Sequence, residues 1–398
     1  MLPQARRRAD AGRRVHALVR ARNVPTEAVD LVMVSRIRDE GLKHSQVMDT
    51  VEELTDVIGP RLTGSPQMRK ASDWTRARLA GWGLANAHLE TWGPFGRGWS
   101  YERSTVTMVA PQVVPLIAVP KAWTPGTAGA VRGNGQARAH QHQGGLRAAQ
   151  GQAGRARAVP LAAAHDARAR APAVRALQRR RAERASHFDV AEAADTDNEE
   201  PRRTRRRFQR ELTEFLAAEK ALATVEVSER DGAIVRVMGG GSRDKDDNPG
   251  VPALVMAAEH YNRVLRLLEK KQDVELELDV KATFHDEDPT SANTFAEIPG
   301  TAEGGEVVMA GAHLDSWHAG TGATDNAAGS AVVMEAIRIL KAIDVKPRRT
   351  IRVGLWSGEE AGPPRARAPT SSSTSARART RRRRGARRTS GARGARSP

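Results

Sequence analysis

In residues 45–58 (SQVMDTVEELTDVI) the apolar positions Val47, Met48, Val51, Leu54, Val57 and Ile58 recur at helical spacing, which predicts an amphipathic helix ended by Gly59 and Pro60. GPRLTGSP is a loop. Ser65 followed by Pro66 reads as N-cap and first residue of a second helix carrying Met68, Ala71, Trp74 and Leu79. A strand is predicted near residues 87–92, and residues 105–119 are apolar enough for buried strands. Residues 209–223 read as helix, then 224–227 and 233–237 as strands parted by the turn signal Asp231-Gly232. Residues 254–257 lead into a helix over 259–271, and 274–284 alternate as an edge or half-buried strand. The clearest pattern follows: strand 293–298, turn at Pro299-Gly300, strand 307–312, helix 326–343 and strand 350–356. Short apolar strands flanking a helix predict an α/β domain with buried central strands.

Charge changes this picture by its placement. The formal net charge is +17, which by itself would point to nucleic acid or an anionic membrane. Residues 1–22, 133–187 and 363–398 carry +6, +9 and +12, so the rest of the chain is net acidic. These three Ala-, Arg- and Gly-rich blocks show no repeat and no sustained alternation, and each stops abruptly beside well-patterned sequence. Translating a GC-rich gene in the wrong frame yields such a mixture; the alternative is a natural Arg-rich linker and tail. On either view residues 134–187 and 363–398 are expected to be disordered or at most isolated helix, since they offer too little apolar surface to offset chain entropy. The tail around Arg382 has no interleaved aromatics, so no specific nucleic-acid partner is expected. No apolar run is long enough for a membrane span, and residues 1–23 have charge but no apolar leader segment. Without cysteine, metal ligands are limited to His, Asp and Glu.

Three such clusters sit at ends of predicted elements. His313-Leu314-Asp315 follows one strand, Asp325-Asn326 precedes the helix, and Glu359-Glu360 follows the next strand. In α/β proteins the carboxyl ends of strands form the ligand-binding edge. His313 and Asp315, two apart, point to one side of an extended backbone, so the imidazole can take a metal while the carboxylate orients other groups. Asp325 at a helix N-terminus is placed where a carboxylate is favoured and can bridge cations. Glu359 and Glu360 are adjacent, so one can coordinate while the other accepts a proton from an activated water. Gly320, Gly322 and Gly329 give the intervening HAGTGATDNAAG backbone freedom for close approach. Taken singly, HLD is a surface loop, GEE a solvated turn and Asp325 a helix N-cap.

Together the clusters stand in AHLDSWHAGTGATDNAAGSAVVMEAIRILK followed by KPRRTIRVGLWSGEEAG, which resembles the zinc aminopeptidase and glutamate-carboxypeptidase clan of co-catalytic exopeptidases, most of all its plasma glutamate carboxypeptidase (carboxypeptidase Q) branch and bacterial relatives. The stretch EGLKHSQVMDTVEELTDVIGPRLTGSPQMRKASDWTRARLAGWGLANAHLETWGPFGRGWS is similar to the same branch, and the likeness covers about residues 29–133 and 208–362. The resemblance implies two zinc ions, with His313 on one, Asp325 bridging and Glu360 on the other. Glu359 would then be the general base and Asp315 would orient His313. Trp317 and His318 lie beside this cluster and are not expected to touch substrate. Implied substrates are short peptides cut at their ends, and the implied location is secreted or periplasmic.

The resemblance also implies an organisation: an unstructured N-terminus over 1–28, a first part of the peptidase domain over 29–112, a protease-associated β-rich insert over 113–285 lying over the cleft, a catalytic core over 286–362 and the Arg-rich tail over 363–398. The family completes its site with a further acidic ligand and a histidine, and no Asp, Glu or His follows Gly362. The expectation is therefore an incomplete sheet with helices on both faces and an incomplete metal site. Such a chain would be inactive as written, or a non-catalytic relic.

Overall fold

The computed structural model describes residues 29–138, 158–162, 199–302 and 305–362. The expectations for residues 1–28 and 363–398, and for most of 139–198, lie outside the described residues.

Two sheets organise the chain, and the fold is α/β. The smaller has the strand order β1-β10-β12-β11, with β1 at Ala85–Trp92, β10 at Ser291–Ile298, β11 at Val307–His313 and β12 at Thr350–Trp356. β10 pairs antiparallel with β1 on one side and β12 on the other, whereas β11 and β12 are parallel, with His313 level with Trp356. A parallel pair needs a crossover, supplied here by α6 at Ala328–Ala342. α3 (Pro66–Gly81) is started by Ser65, whose side chain accepts the Met68 amide at 3.2 Å, with Pro66 at the first position. It buries Met68, Ala71, Ser72, Thr75 and Leu79 at helical spacing. Those apolar side chains share one core with Ala296 and Ile298 of β10, Val353 and Leu355 of β12, and Met334 and Ile337 of α6.

The larger sheet has the order β3-β2-β9-β5-β6-β7-β8-β4. Its strands are β2 (Gly98–Ala110), β3 (Val114–Leu116), β4 (Ala118–Pro120), β5 (Val131–Arg138), β6 (Ala158–Ala162), β7 (Thr224–Val227), β8 (Ala253–Met256) and β9 (Glu275–His285). α5 (Ala258–Glu269) covers it through Tyr261 and Val264, packed with Leu254, Met256, Leu276, Leu278 and Val280. α4 spans Glu199–Ala218. β2 pairs with β9 in this sheet and continues into β3, so the sequence boundary at residue 112 falls inside the β2–β3 connection.

Several expectations change. Residues 134–138 and 158–162, placed in a block without fixed structure, lie in β5 and β6, which pair in parallel; β6 is the apolar run AVPLA. Residues 233–237 are loop, not strand. Ala233 has φ +58°, and backbone groups there are taken by side chains: the Ala233 amide by the Glu259 carboxylate at 3.3 Å, the Ile234 carbonyl by the Ser228 hydroxyl at 2.7 Å. The helix over 45–58 is α2 (Val47–Glu52) running into a π-helical turn at Glu53–Ile58. α1 at Leu31–Lys43 had no counterpart in the pattern, because none of its residues is buried; the Asp30 carboxylate caps it and Arg36 ties it to the Ile343 carbonyl at 2.6 Å.

Candidate active site

His313 ends β11, and Glu359 and Glu360 follow the end of the adjacent parallel strand β12, so all three come to one sheet edge. Asp325 arrives from the β11–α6 connection. It stands ahead of α6, in a π-type turn over Ala323–Ala327, with extended φ −127° and ψ 91° rather than in the helix N-terminal position that the sequence favoured. Gly322 before it has φ +65°, and a side chain there would collide with Ser316.

His313, Asp325 and Glu360 each offer a ligand atom, and these atoms lie within 4.8 Å of one another. The His313 Nε2 is 3.1 Å from Asp325 Oδ1 and 4.0 Å from Glu359 Oε2. On the other side of the ring, Nδ1 lies 3.2 Å from the Asp315 carbonyl and 3.5 Å from Asp315 Oδ1. Asp315 is fully buried, while the Asp325 and Glu359 side chains are 73% and 62% exposed, so the cluster has a buried floor and an open mouth.

Charge is crowded here. Burial, then the carboxylates of Asp325 and Asp315, push the Glu360 acid up to about 7. The contact with Asp315 lifts His313 to about 9 against the effect of its partial burial. A divalent cation reverses both tendencies, because it favours ionised carboxylates and a neutral imidazole. One imidazole and two carboxylates converging on one point fit a zinc-type ion in donor chemistry.

Residues that the sequence did not single out hold this arrangement. The Ser330 hydroxyl and the Asn326 amide donate to the His313 carbonyl at 2.9 and 3.3 Å. Arg61, fully buried, donates to the carbonyls of Leu314 and Gly322, the two ends of the loop after His313, and Thr63 donates to Asp315. The only sequence sign of Arg61 and Thr63 was their place in a loop between two patterned helices.

Trp317 and His318 face elsewhere. His318 is 5% exposed, donates through Nε2 to the Pro120 carbonyl at 2.7 Å, and packs edge-on against Trp99 and Tyr101. Trp317 packs against Trp123, so this pair joins the segment after His313 to the larger sheet.

The family model for peptidase family M28 matches residues 293–381, from β10 through the Glu359-Glu360 pair and on past Gly362 into the Arg-rich stretch. That stretch is similar to peptidase family M28. It is 28% identical over 313 residues to carboxypeptidase Q of Mus musculus, which takes in 78% of this chain and 57% of that protein. Carboxypeptidase Q of Xenopus laevis is 35% identical over 118 residues, 30% of this chain and 25% of the relative. The chain thus spans little more than half the length of the mouse homologue. A solved M28 peptidase precursor from Shewanella amazonensis superposes with a TM-score of 0.53 at 23% identity, covering 83% of this chain and 67% of that one, which establishes the same fold. Among the described residues no helix is long and apolar enough to cross a membrane.

Proposed function

We propose that the chain is a zinc-dependent exopeptidase domain hydrolysing bonds at the ends of short peptides, working outside the cytoplasm as the family resemblance implies. The observation that carries this reading is the convergence of His313, Asp325 and Glu360 within 4.8 Å at the carboxyl edge of a parallel strand pair, inside an M28 match. Homology to carboxypeptidase Q supports cleavage at peptide ends.

On this reading His313, Asp325 and Glu360 would hold zinc. When bound, zinc acts as a Lewis acid on the scissile carbonyl and lowers the pKa of water. Glu359, exposed and 4.0 Å from His313 Nε2, accepts the proton of the attacking water. Buried Asp315 orients His313 through Nδ1, leaving Nε2 turned to the cluster. Asp325, exposed at the mouth, would be the carboxylate available to a second ion. The eight-stranded unit is the proposed insert over the cleft; the His318–Pro120 and Trp123–Trp317 contacts tie it to the loop after His313 and support that position.

A non-catalytic reading has its own support: three donors among the described residues serve one ion and not a bridged pair. Zinc content of the purified chain, with hydrolysis of a dipeptide before and after chelation, decides between them. Zinc-dependent turnover lost in His313→Ala supports the enzyme. Bound zinc without turnover supports the relic, and absence of zinc rejects the metal site.

A further inference from the structure

The segment between the π-helical turn and α3 runs beneath the candidate site. Arg61 and Thr63, two apart, are fully buried, while Leu62 between them packs with Phe95, Trp99 and Trp123. That alternation is what an extended backbone gives, and it sends both polar side chains toward the floor of the site.

Thr63 Oγ1 donates to Asp315 Oδ2 at 2.6 Å, and the Glu360 amide donates to the same oxygen at 3.2 Å. Oδ2 is thereby occupied. Oδ1 is buried with no hydrogen-bond partner and lies 3.5 Å from His313 Nδ1, which itself meets the Asp315 backbone carbonyl at 3.2 Å. A carboxylate is two-fold symmetric, so which oxygen meets the imidazole depends on what holds the other one. In a fully buried site water does not supply that hold.

We propose that Thr63 is a positioning residue for the metal centre, holding Asp315 Oδ2 so that Oδ1 faces His313 Nδ1 and the ring presents Nε2 to Asp325 and Glu360. This rests on the reading of His313, Asp325 and Glu360 as zinc ligands. Nδ1 set against the Asp315 carbonyl at 3.2 Å and Oδ1 at 3.5 Å favours the Nδ1-protonated tautomer, the form whose Nε2 lone pair is free for a cation. Outer partners of metal-binding histidines typically contribute about 10–100-fold to affinity. A merely structural threonine would instead affect folding and leave the affinity of the folded chain unchanged.

The test uses the full chain and Zn²⁺ competed against a chromophoric chelator, with the visible spectrum of the Co²⁺-loaded chain as a second readout. Thr63→Ser keeps the hydroxyl and should bind zinc like the parent. Thr63→Val keeps the volume without the donor, and should bind about 10-fold or more weakly with an altered Co²⁺ spectrum. Should it fail to fold, Thr63→Ala, which removes the same donor at smaller volume, carries the test with the same two readouts and the same outcomes. Equal affinity and spectrum in folded Thr63→Val overturns it, as does an equal loss in Thr63→Ser. If the parent takes no zinc, or His313→Ala binds as well as the parent, the metal reading itself fails. A loss in His313→Ala with no change in Thr63→Val leaves that reading standing and removes only the role of Thr63.

Discussion

Arg61 Nε donates to the Leu314 carbonyl at 2.8 Å, and the same guanidinium reaches the carbonyls of Leu54, Gly59, Thr321 and Gly322 at 2.7 to 3.1 Å. One side chain thereby closes the loop between His313 and Asp325 onto the end of the π-helical turn. Burial pulls its pKa down to about 10, with the Asp315 charge opposing that shift. Arg61→Met should destabilise the chain by about 3 kcal/mol or more, because five carbonyls, two of them in fully buried hydrogen bonds, lose their donor at once. Arg61→Lys should recover little, since an ammonium has three donors and no planar fork. Urea denaturation of both variants checks this, and a loss under about 1 kcal/mol would remove Arg61 from the framework of the site.

Glu359→Gln keeps size and hydrogen bonding but cannot take a proton. Where the chain, or a longer form of it, shows zinc-dependent hydrolysis, turnover should fall about 100-fold or more while zinc content stays at the parental level. Zinc lost together with activity would make Glu359 a ligand instead.

The acid limb of stability should carry the signature of His318. Burial lowers its pKa from 6.5 to about 4, so the unfolded chain takes up a proton that the folded chain refuses. Its contribution is fully present above pH 6.5 and is lost as pH falls toward about 4, below which the loss levels off. The groups facing it are Trp99, Tyr101, Trp317 and the Pro120 carbonyl, none of them a charge that would support the imidazolium. The full shift corresponds to about 3 kcal/mol. Urea midpoints between pH 7 and 4 should therefore fall more steeply for the parent than for His318→Phe. Parallel pH dependence in the two would place the histidine in a solvated setting.

The catalytic-core elements were legible because their signals are local. Strands 293–298, 307–312 and 350–356 carry apolar runs bounded by breakers, and the observed β10, β11 and β12 follow them closely. The convergence of His313, Asp325 and Glu360 was legible as spacing; its form was not, since Asp325 sits in a π-type turn whose backbone has no periodic signature. α1 was missed because its stability comes from an N-cap and long-range polar contacts, including Arg338 to Glu40 at 2.6 Å, and not from a buried stripe. The strand expected at 233–237 failed because side chains take its backbone groups, the nearby Ser228 hydroxyl and the Glu259 carboxylate 26 residues on. Arg61 and Thr63 act through partners some 250 residues away, which no window of sequence can reveal.

β11 has a hydrogen-bonding partner on one side only among the described residues, and Val307, Val308 and Met309 on it are 43 to 48% exposed. It carries no lysine, proline or inward charge, the features by which edge strands avoid pairing with other chains. The chain should therefore associate with itself as concentration rises. Met309 stands level with Arg352 of the neighbouring strand, so Met309→Glu places an opposite charge beside an existing cation. This substitution should reduce association in sedimentation velocity while changing folding stability by no more than about 0.5 kcal/mol, because the side chain is already half in water. If Met309→Glu associates as the parent does, or the parent stays monomeric throughout, the edge is not the contact. A large loss of stability would mean that Met309 is packed in solution against something that covers this strand.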